Sequence, residues 1–86
     1  MEIELTQRAF KELQDWKQTG NTKIVKRIKE LTDSILESPF TGIGKPEPLK
    51  HKYSGKWSRR INREHRYVYE IRDEKLYIFS LKGHYT

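Results

Sequence analysis

Glu2–Leu5 alternates polar and apolar side chains, the pattern of a short edge strand. Beyond it the spacing changes. Phe10, Leu13 and Trp16 fall three apart and predict one apolar face of a helix, which Thr6 can N-cap and Gly20 can close after Gln18. Asn21 or Thr22 opens a second helix, in which Ile24, Ile28, Leu31 and Ile35 recur at helical spacing. Pro39 stops it after Ser38. So short a connection predicts an antiparallel helical hairpin with both apolar stripes turned to the same neighbour. Only a sheet remains to serve as that neighbour.

The periodicity lapses over residues 40–48, a loop rich in Gly and Pro. Its Gly42-Ile43-Gly44-Lys45 resembles a fragment of a phosphate-binding loop. No strand precedes it, and Pro46 and Pro48 forbid a following helix, which argues against a nucleotide-binding P-loop. Residues 49–53 then read as a strand turning at Ser54-Gly55. Residues 57–63 alternate, with Trp57, Arg59, Ile61 and Arg63 on one face and Ser58, Arg60 and Asn62 on the other. A turn at 62–64 leads to a strand over 65–72, Asp73-Glu74 turns again, and residues 75–81 make the last strand. Such connections predict an antiparallel meander. In the strand over 65–72, His65, Tyr67, Tyr69 and Ile71 share one face, and Arg66, Val68 and Glu70 share the other. The more apolar face should meet the helices, turning Arg66 to the open side. The class is α+β, a helical hairpin on one face of a small, mainly antiparallel sheet.

Composition narrows this further. Eighty-six residues make a single domain over 1–86 with a thin core, since 34% are hydrophobic and 35% charged. With no cysteine there is no disulfide, thiolate metal site or cysteine nucleophile. No basic n-region or long apolar run suggests a signal peptide or membrane span, so the expected location is cytoplasmic. The net charge of +6 lies wholly in residues 39–86, where eleven Lys/Arg face five Asp/Glu, together with all three histidines and eight of the ten aromatic residues. Cations interleaved with aromatic rings are the footprint of nucleic-acid contact, although a basic surface that merely aids solubility has the same composition.

The candidate chemistry concentrates in residues 42–66. Glu47 is held between Pro46 and Pro48 amid Lys45, Lys50, Lys52, Lys56, Arg59, Arg60, Arg63 and Arg66. RNA cleavage without a metal needs a base for the 2′-OH, a cation for the charge growing on phosphate, and an acid for the leaving 5′-oxygen. Glu47 is the candidate base, stiffened by its prolines; the plainer account is a loop acid paired with Lys45 or Lys50. The four arginines compete for the phosphate, because a guanidinium keeps its charge and matches phosphate oxygens. His84 is the candidate acid, and a position so near the end of the sequence fits an inert tail as well. Tyr85 can stack on a base or close the core. His51, His65 and His84 lack the spacing of a zinc site, and no metal or cofactor is expected.

The motifs together match a known pattern. The run from Gly44 to His51, then Ser54-Gly55, Trp57-Ser58-Arg59-Arg60-Ile61, Glu64-His65-Arg66, Val68-Tyr69 and His84-Tyr85, resembles the YoeB/Txe toxins of the RelE superfamily. The resemblance extends over nearly the whole chain, including Ile24-Val25-Lys26 and Lys29-Glu30-Leu31 of the hairpin. It implies a β-α-α-β-β-β order, the RelE-like fold, and an mRNA endoribonuclease toxin that acts mainly in the ribosomal A site and inhibits translation. By matching position it implies Glu47 as general base, Arg66 as phosphate stabiliser and His84 as general acid. It also implies Lys50 as a helper at the phosphate, Tyr85 as a positioning residue, and Arg59 and Arg60 as contacts to RNA or ribosome. A co-expressed YefM/Axe-like antitoxin and a homodimer are the implied protein partners. The competing class is a non-catalytic basic module that binds RNA, DNA or ribosome. The acid–base pair discriminates, since binding alone has no use for Glu47 and His84.

Overall fold

Helix α1 (Gln7–Gln18) starts where expected, because the Thr6 hydroxyl accepts from the Ala9 amide at 3.1 Å and caps the first turn. The same hydroxyl donates to the Phe79 carbonyl at 3.1 Å, tying the helix start to the sheet. Helix α2 (Thr22–Glu37) is capped by Asn21, whose side chain accepts from the Ile24 amide at 3.3 Å. Its Ile24, Ile28, Leu31 and Ile35 are all buried. The apolar face of α1 departs from expectation. Phe10 is 55% exposed, whereas Ala9 is fully buried beside Trp16. Spacing of three suits one helical edge, but the seated stripe is Ala9, Leu13 and Trp16, offset by four and three.

The computed structural model describes residues 1–84. Its sheet contains β1 (Glu2–Leu5), β2 (Glu47–Pro48), β3 (Trp57–Arg60), β4 (Arg66–Arg72) and β5 (Lys75–Ser80), in the order β1-β5-β4-β3-β2. Only β1 and β5 run parallel; the other three pairings are antiparallel. The architecture is the α+β one expected, with two-residue β2 added at one edge. Both helices pack on one face over Leu31, Ile35, Tyr67, Tyr69 and Leu76. Burying each such aliphatic side chain stabilises the fold by about 1.5–3 kcal/mol. Burial pushes the Tyr67 phenol well above the ordinary tyrosine range. It raises Tyr69 as well, against the opposing pull of Arg59. No helix among the described residues is long and apolar enough to cross a membrane.

Two strand expectations fail for local reasons. Residues 49–53 do not extend: the pairing ends at Pro48, and His51–Tyr53 forms a single 3-10 turn. His51 sits at φ 59°, outside the extended region, and the Leu49 amide donates to the Lys56 carbonyl at 2.9 Å to close the loop. Strand β3 ends at Arg60, short of Arg63. There the Asn62 side chain accepts from the amides of Glu64 and His65, an Asx turn that folds the chain back early. The expected turn at Asp73-Glu74 is present, with both residues at positive φ as a two-residue hairpin requires.

Candidate active site

The sheet register decides which side chains share the open face. Tyr67 and Tyr69 face the helices, so Arg66, Val68 and Glu70 alternate to the other side. Ser58 stands opposite Val68, and Glu47 opposite Ser58, which places Glu47 in that open-face row at the sheet edge. Arg60 stands directly opposite Arg66 on the same face. Glu47 and Arg66 are thus two strand spacings apart across the sheet and two residues apart along it, roughly 12 Å between backbones, which their side chains can span toward a common ligand. Farther along this face Lys56 lies over the Phe79 ring at 4.6 Å, and Arg72 over Tyr77 at 4.6 Å.

The Glu47 carboxylate is exposed and forms no hydrogen bond or ion pair among the described residues. The pairing with Lys45 or Lys50 that would make it an ordinary loop acid is not formed. Lys50 is exposed and precedes the 3-10 turn, on the loop that follows β2. Arg66 is held more firmly. Its Nη1 donates to the carbonyls of Asn62, Arg63 and His65 at 2.9, 3.3 and 3.3 Å, all within its own turn. The remaining guanidinium N–H groups make no hydrogen bond among the described residues, so they are free to meet an anion.

Arg59 is where the structure corrects the sequence reading. It is fully buried on the helix side of β3, and its guanidinium is enclosed by protein. Nη1 donates to the Ser34 hydroxyl at 2.7 Å and the Ile43 carbonyl at 3.1 Å. Nη2 donates to the Ser38 and Thr41 carbonyls, both at 2.8 Å, and Nε to the Tyr69 hydroxyl at 3.2 Å. So enclosed, Arg59 cannot touch RNA or ribosome; Arg60 alone of the pair is exposed. The loop wraps so tightly that glycine is required. A Cβ on Gly44, at φ 82°, would lie 2.7 Å from Leu31 Cδ2 and 3.2 Å from Arg59 Cβ. The Gly44 carbonyl then accepts from the Arg60 amide at 2.7 Å, three residues before Glu47. The Gly42–Lys45 run that imitates a phosphate loop is instead the wrapping of an internal guanidinium.

After β5 the chain is anchored at Leu81 and Gly83. The Leu81 amide donates to Glu12 Oε1 at 2.8 Å, and Trp16 Nε1 donates to the Leu81 carbonyl at 3.0 Å. The Gly83 amide donates to His65 Nδ1 at 2.9 Å, and the Gly83 carbonyl accepts from the Arg66 amide at 3.0 Å. His84 follows immediately and is exposed, one residue beyond the backbone bond to Arg66. Tyr85, expected to position substrate, lies outside the described residues. Sequence reasoning missed the anchors Glu12, Trp16 and His65. Helical spacing marked Trp16 as core, but nothing local tells that its indole N–H reaches residue 81. No group of three or more His, Cys, Asp or Glu among the described residues is placed to hold a metal ion.

The geometry has close parallels. The family described as the YoeB-like toxin of bacterial type II toxin–antitoxin systems matches residues 5–85. A Toxin YoeB from Synechocystis is 56% identical over 70 residues, which cover 81% of each chain. A solved YoeB/ParE toxin from Agrobacterium tumefaciens superposes with a TM-score of 0.95 at 36% identity, covering 99% of this chain and all of that one. Two Staphylococcus aureus structures, a YoeB dimer and a YoeB–YefM complex, superpose at 0.91 and 0.90 with 43% and 44% identity, each covering 99% of this chain and 98% of its own. YafQ from E. coli, at 17% identity and a TM-score of 0.78, shares the fold alone. With 81 of its 86 residues inside the family match and its sheet superposable on solved members, the chain belongs to the YoeB-like toxins of bacterial type II toxin–antitoxin systems.

Proposed function

We propose that this toxin is an endoribonuclease that cleaves messenger RNA, mainly on the ribosome at the A site, and so stops translation. One observation carries the reading. An exposed carboxylate with no partner, Glu47, shares the open sheet face with Arg60 and Arg66, while the segment bearing His84 is fastened beside Arg66. Glu47 takes the proton of a ribose 2′-OH, and the 2′-oxygen forms a bond to the adjacent phosphorus. Arg66 stabilises the charge that grows on the phosphoryl oxygens, with Lys50 assisting. The bond from phosphorus to the 5′-oxygen breaks, and His84 in its imidazolium form supplies the proton to that oxygen. The products are a 2′,3′-cyclic phosphate and a 5′-OH. Arg60 holds the flanking backbone, and Tyr85 completes the substrate contacts.

The proposed partners follow from the same face. A YefM/Axe-like antitoxin, as in the S. aureus complex, silences the toxin by covering the basic side of the sheet. Self-association as a dimer, as in its S. aureus relative, is proposed too. The site of action is the cytoplasm, where ribosomes translate.

The test is chemical. Primer extension on a translated message should show new 5′ ends on addition of the purified protein. A single 2′-deoxy nucleotide at the scissile position should abolish cutting there, and the products should carry the cyclic phosphate or its 3′-phosphate. Efficient cutting of the deoxy substrate overturns the mechanism. A protein that binds RNA tightly and leaves it whole would instead be a non-catalytic binding module.

A further inference from the structure

His84 is useful to an RNA-cleaving site only if the last residues hold a fixed course, and one side chain controls that course through an acceptor that a proton can occupy. His65 Nδ1 receives the Gly83 amide at 2.9 Å. A ring nitrogen that accepts an N–H must carry its lone pair, so His65 is neutral with its proton on Nε2. The rest of the residue is fixed independently. Its amide donates to Asn62 Oδ1 at 2.8 Å, its carbonyl accepts from the Ile61 amide at 3.0 Å, and its ring meets the Trp16 indole edge to face at 4.9 Å. Trp16 in turn holds the Leu81 carbonyl, and Lys82 lies over its ring at 4.8 Å. The imidazole is therefore a rigid post rather than a mobile side chain, and its Nδ1 is the only side-chain acceptor that Gly83 meets among the described residues.

We propose that His65 is a positioning residue for the general acid: its neutral Nδ1 clamps the Gly83 amide, and protonation of His65 removes that tie and loosens the approach to His84. The functional consequence rests on the acid role given to His84 above; the clamp itself does not. A protonated imidazole turns the acceptor into a donor that points at another donor, so the bond is lost outright rather than weakened. The backbone bond from Arg66 to Gly83 and the Glu12 and Trp16 bonds to Leu81 remain. Protonation thus removes one of the two ties on Gly83, the one at its amide, loosening the course into His84 while the fold is kept. The charged groups on the segments that meet the ring are Glu12 and Asp15 near Trp16 on α1, Arg63, Glu64 and Arg66 on its own segment, and Lys82 and His84 on either side of Gly83. Glu12 is engaged by Arg8 and the Leu81 amide, and Asp15 by Lys11 and Lys82, so neither carboxylate is paired with the imidazole.

The experiment uses the full chain and needs no substrate for its first part. Nitrogen NMR of the His65 ring should show an unprotonated Nδ1 at neutral pH. As acid protonates His65, the Gly83 amide should lose its hydrogen-exchange protection in the same transition. His65→Asn places an oxygen where Nδ1 stood and does not titrate, so its Gly83 amide should stay protected throughout. His65→Phe keeps a ring against Trp16 without an acceptor, and single-turnover RNA cleavage should fall about a hundredfold at every pH, the cost of a misaimed group. In His65→Asn cleavage should persist at acid pH better than in the wild type. A protonated Nδ1 at neutral pH, or a Gly83 amide indifferent to His65 titration, overturns the clamp. A clamp that behaves as described in a protein that cuts no RNA overturns the cleavage reading and leaves the clamp standing.

Discussion

Successive side chains of a strand point to opposite faces, and on β3 that alternation separates two neighbouring arginines completely. Arg59 faces the helices; three of its five hydrogen bonds hold the loop that runs from Ser38 to Ile43, and the other two go to Ser34 and Tyr69. Among the described residues no carboxylate pairs with it, and its hydrogen-bond partners are carbonyl and hydroxyl oxygens. Arg60 faces the open side. Arg59→Met should therefore destabilise by about 3 kcal/mol, the scale of a buried charge network broken on one side. For a chain of this size that lowers the melting temperature by roughly 12–24 °C. Arg60→Ala should leave thermal unfolding nearly unchanged, weaken RNA binding, and lower the salt slope of affinity by about one. Calorimetry and salt-dependent binding on the two variants check both halves.

Among the elements, a hydroxyl network ties β4 to α2. Thr32 donates to the Ile28 carbonyl at 2.9 Å, so the 2.7 Å contact with Tyr67 has the phenol as donor. Burial raises the Tyr67 and Tyr69 phenols, meaning that the folded state keeps protons that the unfolded chain releases above about pH 10. The stability they contribute is present below that pH and lost as pH rises through it. Urea unfolding should show this alkaline loss in the wild type. Tyr67→Phe should start about 1 kcal/mol less stable at neutral pH and lose less on the alkaline side. Much of this level was legible beforehand. Helical spacing on α2, the caps Thr6 and Asn21, and the alternation in β4 each follow from a local rule, and together they give the layer order and the outward turn of Arg66. Residues 49–53 were misread because the positive φ of His51 is imposed by the closure between Leu49 and Lys56, which no local pattern announces. Arg59 was misread for a related reason: an arginine on an alternating strand looks the same whether its face meets solvent or a loop that has wrapped around it.

At the scale of the whole molecule the division of labour is between faces. The helices and the apolar side of the sheet supply the core, and they also supply Glu12 and Trp16 as distant anchors for the last residues. The excess of positive charge in residues 39–86 is divided: Arg59 is internal structure, while Arg60 and Arg66 stand on the open face and Lys50 on the exposed loop after β2. Against that field Glu47 costs affinity for any polyanion, and proton abstraction is the use proposed for it. Glu47→Gln therefore tests the account most directly, with single-turnover cleavage and RNA affinity measured side by side on one preparation. The account predicts a rate lower by on the order of a hundredfold to ten-thousandfold, with affinity equal or tighter because a negative charge facing phosphate has gone. Cleavage at the wild-type rate, or loss of binding together with cleavage, would contradict it.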